Sequence, residues 1–317
     1  MMKKEEFLKY ESAKIHELIA ERYSGDIEVR QAAVVKMNDQ KLNGLSVSLD
    51  GNNVCPTIYL DDAFEAYVNG TDPDKIAMDV AHQAFDAGRM APSADTFEQL
   101  PDLSGKRLAL RLLEASRNRE FLKDIPYMEV GNGLVLVCDV RIQENSDGCF
   151  STVVNNNLLK VMGREKADVF RQALKEAWDT DRPVLSSMEA KLFSGDETNL
   201  LDHPEPAASG MYILTNTSGI HGAAALFYPD VQQRISEVLG EDYYALPSST
   251  EEFIIVPQSM GMGPKEFTVM VRDANRSVVE PGQILSDSVL KYDRDSGVLH
   301  DVTAGRKLGS RVSERMC

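Results

Sequence analysis

A chain of 317 residues with 34 Lys+Arg against 50 Asp+Glu carries a formal net charge of −16. Its 43% hydrophobic and 26% charged residues are those of a folded globular protein and exclude disorder for the bulk of the chain. A surface of that sign repels phosphate backbones and anionic bilayers, so neither a nucleic acid nor a membrane is expected as partner.

Length alone predicts about two domains. The N-terminus is charged throughout and lacks the apolar stretch of a secretory leader, and no run approaches the ~18 apolar residues of a spanning helix. The cysteines, Cys55, Cys138, Cys149 and Cys317, form no C-x-x-C pair. They are too sparse for a disulfide framework, so free thiols and a cytoplasmic location are expected.

The first predicted element is a helix over 3–23, with Phe7, Leu8, Ile15, Leu18 and Ile19 on one stripe. Strands follow at 27–36, 42–49 and 53–60, then helices at 61–69 and 73–88, the second opened by Asp72-Pro73. This gives an N-terminal α-β-β-β-α-α unit. Residues 91–104 are rich in Pro, Ser and Asp and read as a linker. The segment 106–122 is ambiguous between helix and strand. Strands at 126–130 and 133–142 flank Gly131-Asn132-Gly133, a hairpin signal. Helices are predicted at 155–162 and 164–179. Residues 180–209, with Pro183, Pro204 and Pro206, read as a second linker or a long loop.

Residues 211–257 read as strand, turn, strand, helix, strand, turn, strand. A helix at 264–275 and a hairpin at 288–302 follow. Strands 211–215 and 252–256 are expected in one sheet. Antiparallel pairing would bring the turns 216–221 and 247–252 to the same edge. The fold class is therefore α+β, with a larger mixed α/β region of mainly antiparallel sheet after the first unit. The domain division is 1–90, linker 91–105, larger domain 106–302 and a flexible tail 303–317.

No phosphate-binding glycine motif, zinc-protease motif or nucleophile elbow is present. Gly261-Met262-Gly263-Pro264-Lys265 precedes a helix and offers amides and a lysine to an anion, but such glycines ordinarily only build the loop. Asp61-Asp62 offers two carboxylates to a cation, against the simpler role of helix capping. The histidines have no ligand spacing, so no metal is expected and no cofactor is implied. Ser248 and Ser249, with Glu251 and Glu252, repeat a capping-box spacing. If the two turns meet, His221 with Ser248 or Ser249 would make a base–nucleophile pair and Glu252 an acid. Asn216 and Ser218 would then be ligand contacts. The competing reading is that both are ordinary solvated turns.

Four phrases, CPTIYLDDAFEAYVNG at 55–70, MYILTNTSGIHGAAALFYPDV at 211–231, YYALPSSTEEFIIVP at 243–257 and LSDSVLKYDRDSGVL at 285–299, resemble the uncharacterised bacterial family DUF5688 over nearly the whole chain. The second half is similar, more distantly, to another uncharacterised family, DUF1444. Neither resemblance implies an activity, a cofactor or a catalytic residue. Three readings stand. The leading one is a non-enzymatic cytosolic interaction or regulatory protein with a protein or peptide partner. The others are an enzyme of unrecognised type using the 216–221 and 247–252 turns, and a chaperone-like binding module in the N-terminal domain.

Overall fold

The structure is a computed structural model that describes residues 1–51, 57–90, 107–145, 148–195, 198–204 and 210–303. It is α+β with antiparallel sheets, and divides into two compact units. Unit 1 comprises Met1–Arg107, Arg119–Asp124 and Val140–Arg164; unit 2 comprises Leu108–Asn118, Ile125–Asp139 and Glu165–Cys317. The linker expected at 91–105 and all but the first residue of the expected tail lie outside the described residues, as do residues 52–56 and 205–209.

Unit 1 opens with helix α1, Lys4–Ala20. Its residues Phe7, Glu11, Ile15 and Ile19 recur every four positions and are all buried, so one stripe faces the core. The Lys3 amide donates to the Glu6 carboxylate at 2.9 Å, supplying a partner at the helix start. Strands β1 (Ile27–Val35) and β2 (Lys41–Leu49) pair in register from Ile27↔Leu49 to Val35↔Lys41. The connecting turn places Asn38 and Asp39 at positive φ, a conformation their short polar side chains tolerate. Strand β3 (Thr57–Tyr59) completes the sheet in the order β1-β2-β3. Helices α2 (Asp61–Val68) and α3 (Pro73–Met90) follow. Asp72 accepts the Asp74 amide at 3.1 Å, and Pro73 sits where a missing N–H costs nothing. The core joins Phe7, Ile15 and Ile19 of α1 to Leu45 and Val47 of β2 and to Ile76, Ala77 and Val80 of α3.

In unit 2 the ambiguous segment is strand β4, Arg107–Glu114, followed by tight turns. Leu108, Ala109, Leu110, Leu112 and Leu113 are all buried. A strand buried on both faces shows no alternation, which is why its pattern was unreadable. Strands β5 (Tyr127–Gly131) and β6 (Leu134–Asn145) form the predicted hairpin, and the sheet order is β4-β6-β5. All of Gly131, Asn132 and Gly133 have positive φ. The far end of β6 belongs to unit 1, where β7 (Gly148–Val153), an element absent from the sequence reading, pairs with it. Helix α4 (Asn156–Val161) is capped by Asn155, whose side chain accepts the Leu158 amide at 2.7 Å.

Helix α5 (Lys166–Thr180) buries Val169, Phe170, Ala173 and Ala177. The expected loop at 180–209 is corrected: it holds strand β8 (Pro183–Ser187) and helix α6 (Met188–Ser194). Pro183 opens a strand at the end of the sheet order, where its missing N–H is tolerated, and Ser187 caps α6 by accepting the Ala190 amide at 3.3 Å. Strand β9 is Tyr212–Asn216. The strand expected after the next turn is instead a buried 3₁₀ segment, Gly222–Phe227, whose three consecutive alanines have no β preference to resist it. Helix α7 (Val231–Leu239) stops at Gly240, φ 76°. Strands β10 (Tyr243–Ser249) and β11 (Glu252–Pro257), helix α8 (Pro264–Ser277) and strands β12 (Leu290–Asp293) and β13 (Val298–Asp301) complete the chain.

The large sheet has the order β13-β12-β10-β11-β9-β8, antiparallel throughout. Phe267 and Val271 of α8 pack on Tyr244, Leu246 and Val256. Asn132, at the β5–β6 turn, donates to the Leu299 carbonyl at 3.1 Å and accepts the Asp301 amide at 3.2 Å, tying the hairpin tip to β13. The indole N–H of Trp178 donates to the Pro229 carbonyl at 3.1 Å, and the Arg234 guanidinium lies 4.7 Å from the indole ring centre. Cys138 is buried and its thiol donates to the Asp139 carbonyl at 3.7 Å; Cys55 and Cys317 lie outside the described residues, and Cys149 lies on β7. Among the described residues no helix is long and apolar enough to cross a membrane.

Candidate functional site

Strands β9 and β11 pair antiparallel, with Leu214 opposite Phe253 and Tyr212 opposite Ile255. The segment leaving β9 and the turn entering β11 therefore lie at one edge of the sheet. Thr215 Oγ1 donates to the Glu251 carbonyl at 2.8 Å, and the Ala223 amide donates to the Thr250 carbonyl at 3.2 Å. Gly222 permits this approach. A Cβ there would lie 2.1 Å from Thr215 Oγ1, 2.5 Å from the Glu251 carbonyl oxygen and 2.9 Å from the Asn216 nitrogen.

The hydroxyls and amide named from the sequence serve the turns. Asn216, 3% exposed, donates to the Ile220 carbonyl at 2.9 Å and accepts from Ser218 Oγ at 3.1 Å. Ser249 Oγ accepts the Glu251 amide at 3.0 Å, and Ser248 Oγ donates to Glu252 at 3.1 Å. These bonds hold local backbone geometry, the role that Ser and Asn play in turns.

His221 is different. It takes a positive φ of 54°, its amide donates to the Glu251 carboxylate, and its ring is set between two acids. Nδ1 lies 3.6 Å from Glu251 Oε1, and Nε2 lies 4.0 Å from Asp139 Oδ2. Asp139, on β6 and 2% exposed, accepts Arg111 Nε at 3.0 Å and Nη2 at 2.6 Å on the same oxygen. The result is a line of basic and acidic side chains in alternation, Arg111, Asp139, His221, Glu251. Sequence reasoning missed Arg111, Asp139 and Glu251. Glu251 was noted only as half of a capping pattern. Asp139 and Arg111 interrupt apolar strands, and an acid and a base on neighbouring buried strands are the signal that would have found them.

The other candidate chemistries dissolve into structure. The Gly263 amide is taken by the Glu266 carboxylate at 2.7 Å, filling the place of an anion. Asp61 pairs with Lys4 Nζ at 2.7 Å and accepts the Asn43 amide at 2.8 Å. Among the described residues no group of three or more His, Cys, Asp or Glu is placed to hold a metal ion.

The concave feature that sequence reasoning did not reach is in unit 1. A groove of about 320 Å³ runs between α1 and α3. Its floor is Leu18, Ile19, Met78, Ala81 and Phe85. Arg22, Lys75, Asp79 and His82 make its rim. Arg22 Nη1 donates to His82 Nε2 at 2.9 Å. Ile19 and Ala81 belong to the buried core, whereas Met78 is 50% exposed. The volume sits at the lower end of the range for small-ligand sites.

No curated protein and no solved structure matches the chain. The family match concerns DUF5688 and does not extend to the DUF1444 resemblance of the second half. The sequence pattern described as "Family of unknown function (DUF5688)" matches residues 5–294, which takes in both the α1–α3 groove and the His221 turn, and the chain belongs to that family.

Proposed function

We propose that the protein is a non-enzymatic cytoplasmic interaction protein whose binding surface is the α1–α3 groove, which receives the apolar face of a segment from another polypeptide. The observation that carries this reading is an open groove floored by five apolar side chains, one of them the half-exposed Met78. A groove with an apolar lining between two helices and charged groups around it is the form in which an amphipathic segment docks. The groove lies within residues 1–90, so the interaction reading and the chaperone-like reading converge on one surface. The domain division at 90, 105 and 302 enters as part of the same proposal. The enzymatic alternative, with His221, Ser248, Ser249 and Glu252 as catalytic groups, has less support, because both serines are engaged in the turn itself.

The test titrates the full chain with a labelled amphipathic peptide carrying leucines at helical spacing. Met78→Glu puts a charge into the groove at an exposed position that the core does not need. Saturable binding is expected, weakened about tenfold or more by the substitution. No saturable binding by the unaltered chain, or equal binding by the variant, overturns the proposal.

A further inference from the structure

Helix α3 carries two faces. Ile76, Ala77, Val80, Ala81 and Ala84 are buried in the core of unit 1. Beside them runs a second line: Lys75, Met78, His82, Phe85 and Arg89. Its spacing of three and four residues keeps these side chains on one face of the helix. Lys75, Met78, His82 and Arg89 are exposed, whereas Phe85 is half-buried against the core and the Tyr23 ring. An ordinary surface helix has one apolar stripe, against its own core.

The seam alternates in chemistry as well. The positions seven apart are Lys75, His82 and Arg89, and those between are Met78 and Phe85. The Arg89 guanidinium lies 5.8 Å from the centre of the Phe85 ring, keeping a cation beside the apolar floor. Arg22, from the end of α1, adds a further cation by its bond to His82. Asp79 is the acid on the rim. In a chain of net charge −16 this is a basic line set into an acidic surface. Its complement is a helix with apolar residues at three-and-four spacing and carboxylates flanking them.

Building on the proposed groove, we infer that the partner docks as an acidic amphipathic helix along the Lys75–Arg89 seam of α3. Its apolar residues fill the space over Leu18, Met78 and Phe85, and its carboxylates face Lys75, Arg89 and Arg22. Charge across such a rim sets specificity and association rate more than raw affinity, and is screened by salt over about 10 Å at 0.1 M.

Three labelled peptides with identical leucine positions test this on the full chain, with Glu, Gln or Lys at the flanking positions. The Glu peptide is expected to bind about tenfold tighter than the Gln peptide, and the Lys peptide weakest. The advantage of the Glu peptide over the Gln peptide should shrink as salt is raised, and Lys75→Glu with Arg89→Glu should abolish it. If the Gln or Lys peptide binds as tightly as the Glu peptide, the acidic partner is wrong and the groove stands. If none of the three binds, the groove reading itself fails. Self-association of the chain, lost on Met78→Glu, would make the occupant a second copy and overturn the acidic helix.

Discussion

His221 donates its backbone N–H to the carboxylate of Glu251 and holds its ring nitrogen Nδ1 3.6 Å from the same group. Glu251 thus fixes the turn from both sides. Its carboxylate also accepts from Thr250 Oγ1 at 3.1 Å, its amide is held by Ser249, and its carbonyl by Thr215. Replacing Glu251 by Ala removes the acceptor and leaves the His221 amide to find another. The expected loss is about 1–3 kcal/mol of stability, read as a lower midpoint in chemical denaturation. An unchanged midpoint would mean the carboxylate carries no structural weight.

Gly222→Ala should cost more. Two of the three atoms in the way are backbone, the Glu251 carbonyl oxygen at 2.5 Å and the Asn216 nitrogen at 2.9 Å, so relief requires moving a strand end. A loss on the order of 3 kcal/mol is expected, seen as a fall in thermal midpoint. Full stability in the variant would show that the two segments separate without penalty.

Glu11 gives a pH signature. It is 0% exposed, within the core stripe of α1, and its carboxyl is pushed up to about 7, first by burial and then by the nearby charge of Asp74. The folded state therefore holds the proton more tightly than the unfolded chain. The stability linked to this group is complete below about pH 4.5 and declines as pH rises towards 7. Glu11→Gln should remove that decline. The variant should be more stable than the natural chain at pH 8, by no more than about 3 kcal/mol, and nearly equal to it at pH 4.5. Parallel stability curves for the two chains across this range would refute the assignment.

Arg111 and Asp139 form a pair in which the acid is 2% and the base 15% exposed on their side chains. Arg111→Met strands the carboxylate beside His221 and should cost about 3–5 kcal/mol. Adding Asp139→Leu should recover much of that loss, because the burden is the unpaired charge and not the missing contact. Urea titrations of both variants make the comparison; no recovery in the double variant would show that the pair itself is needed.

The sequence was readable where one face of an element meets water. The stripe of α1, the alternation of β2 and the Gly-Asn-Gly turn before β6 all announce themselves through contrast. Contrast vanished at β4, where Leu108 to Leu113 are buried on both sides, and at β8, where Pro183 and its neighbours look like loop. The candidate turns were located by one topological step, the antiparallel partnership of β9 and β11. What sits on them was harder, because Asp139, itself held by Arg111, reaches His221 from a strand more than eighty residues earlier in the chain, a separation no local pattern encodes. The groove was invisible for a different reason. Met78 looks like an ordinary member of an apolar helix until the core shows that another stripe has already filled it.

The chain contains a single tryptophan, Trp178, and it is fixed in unit 2 by the Pro229 carbonyl and the Arg234 guanidinium. Its emission therefore reports the melting of one unit only. The groove lies in the other unit, which is lit by tyrosine alone. With Trp178→Phe, a tryptophan-bearing peptide would be the sole indole in the mixture, and its emission would report its own capture.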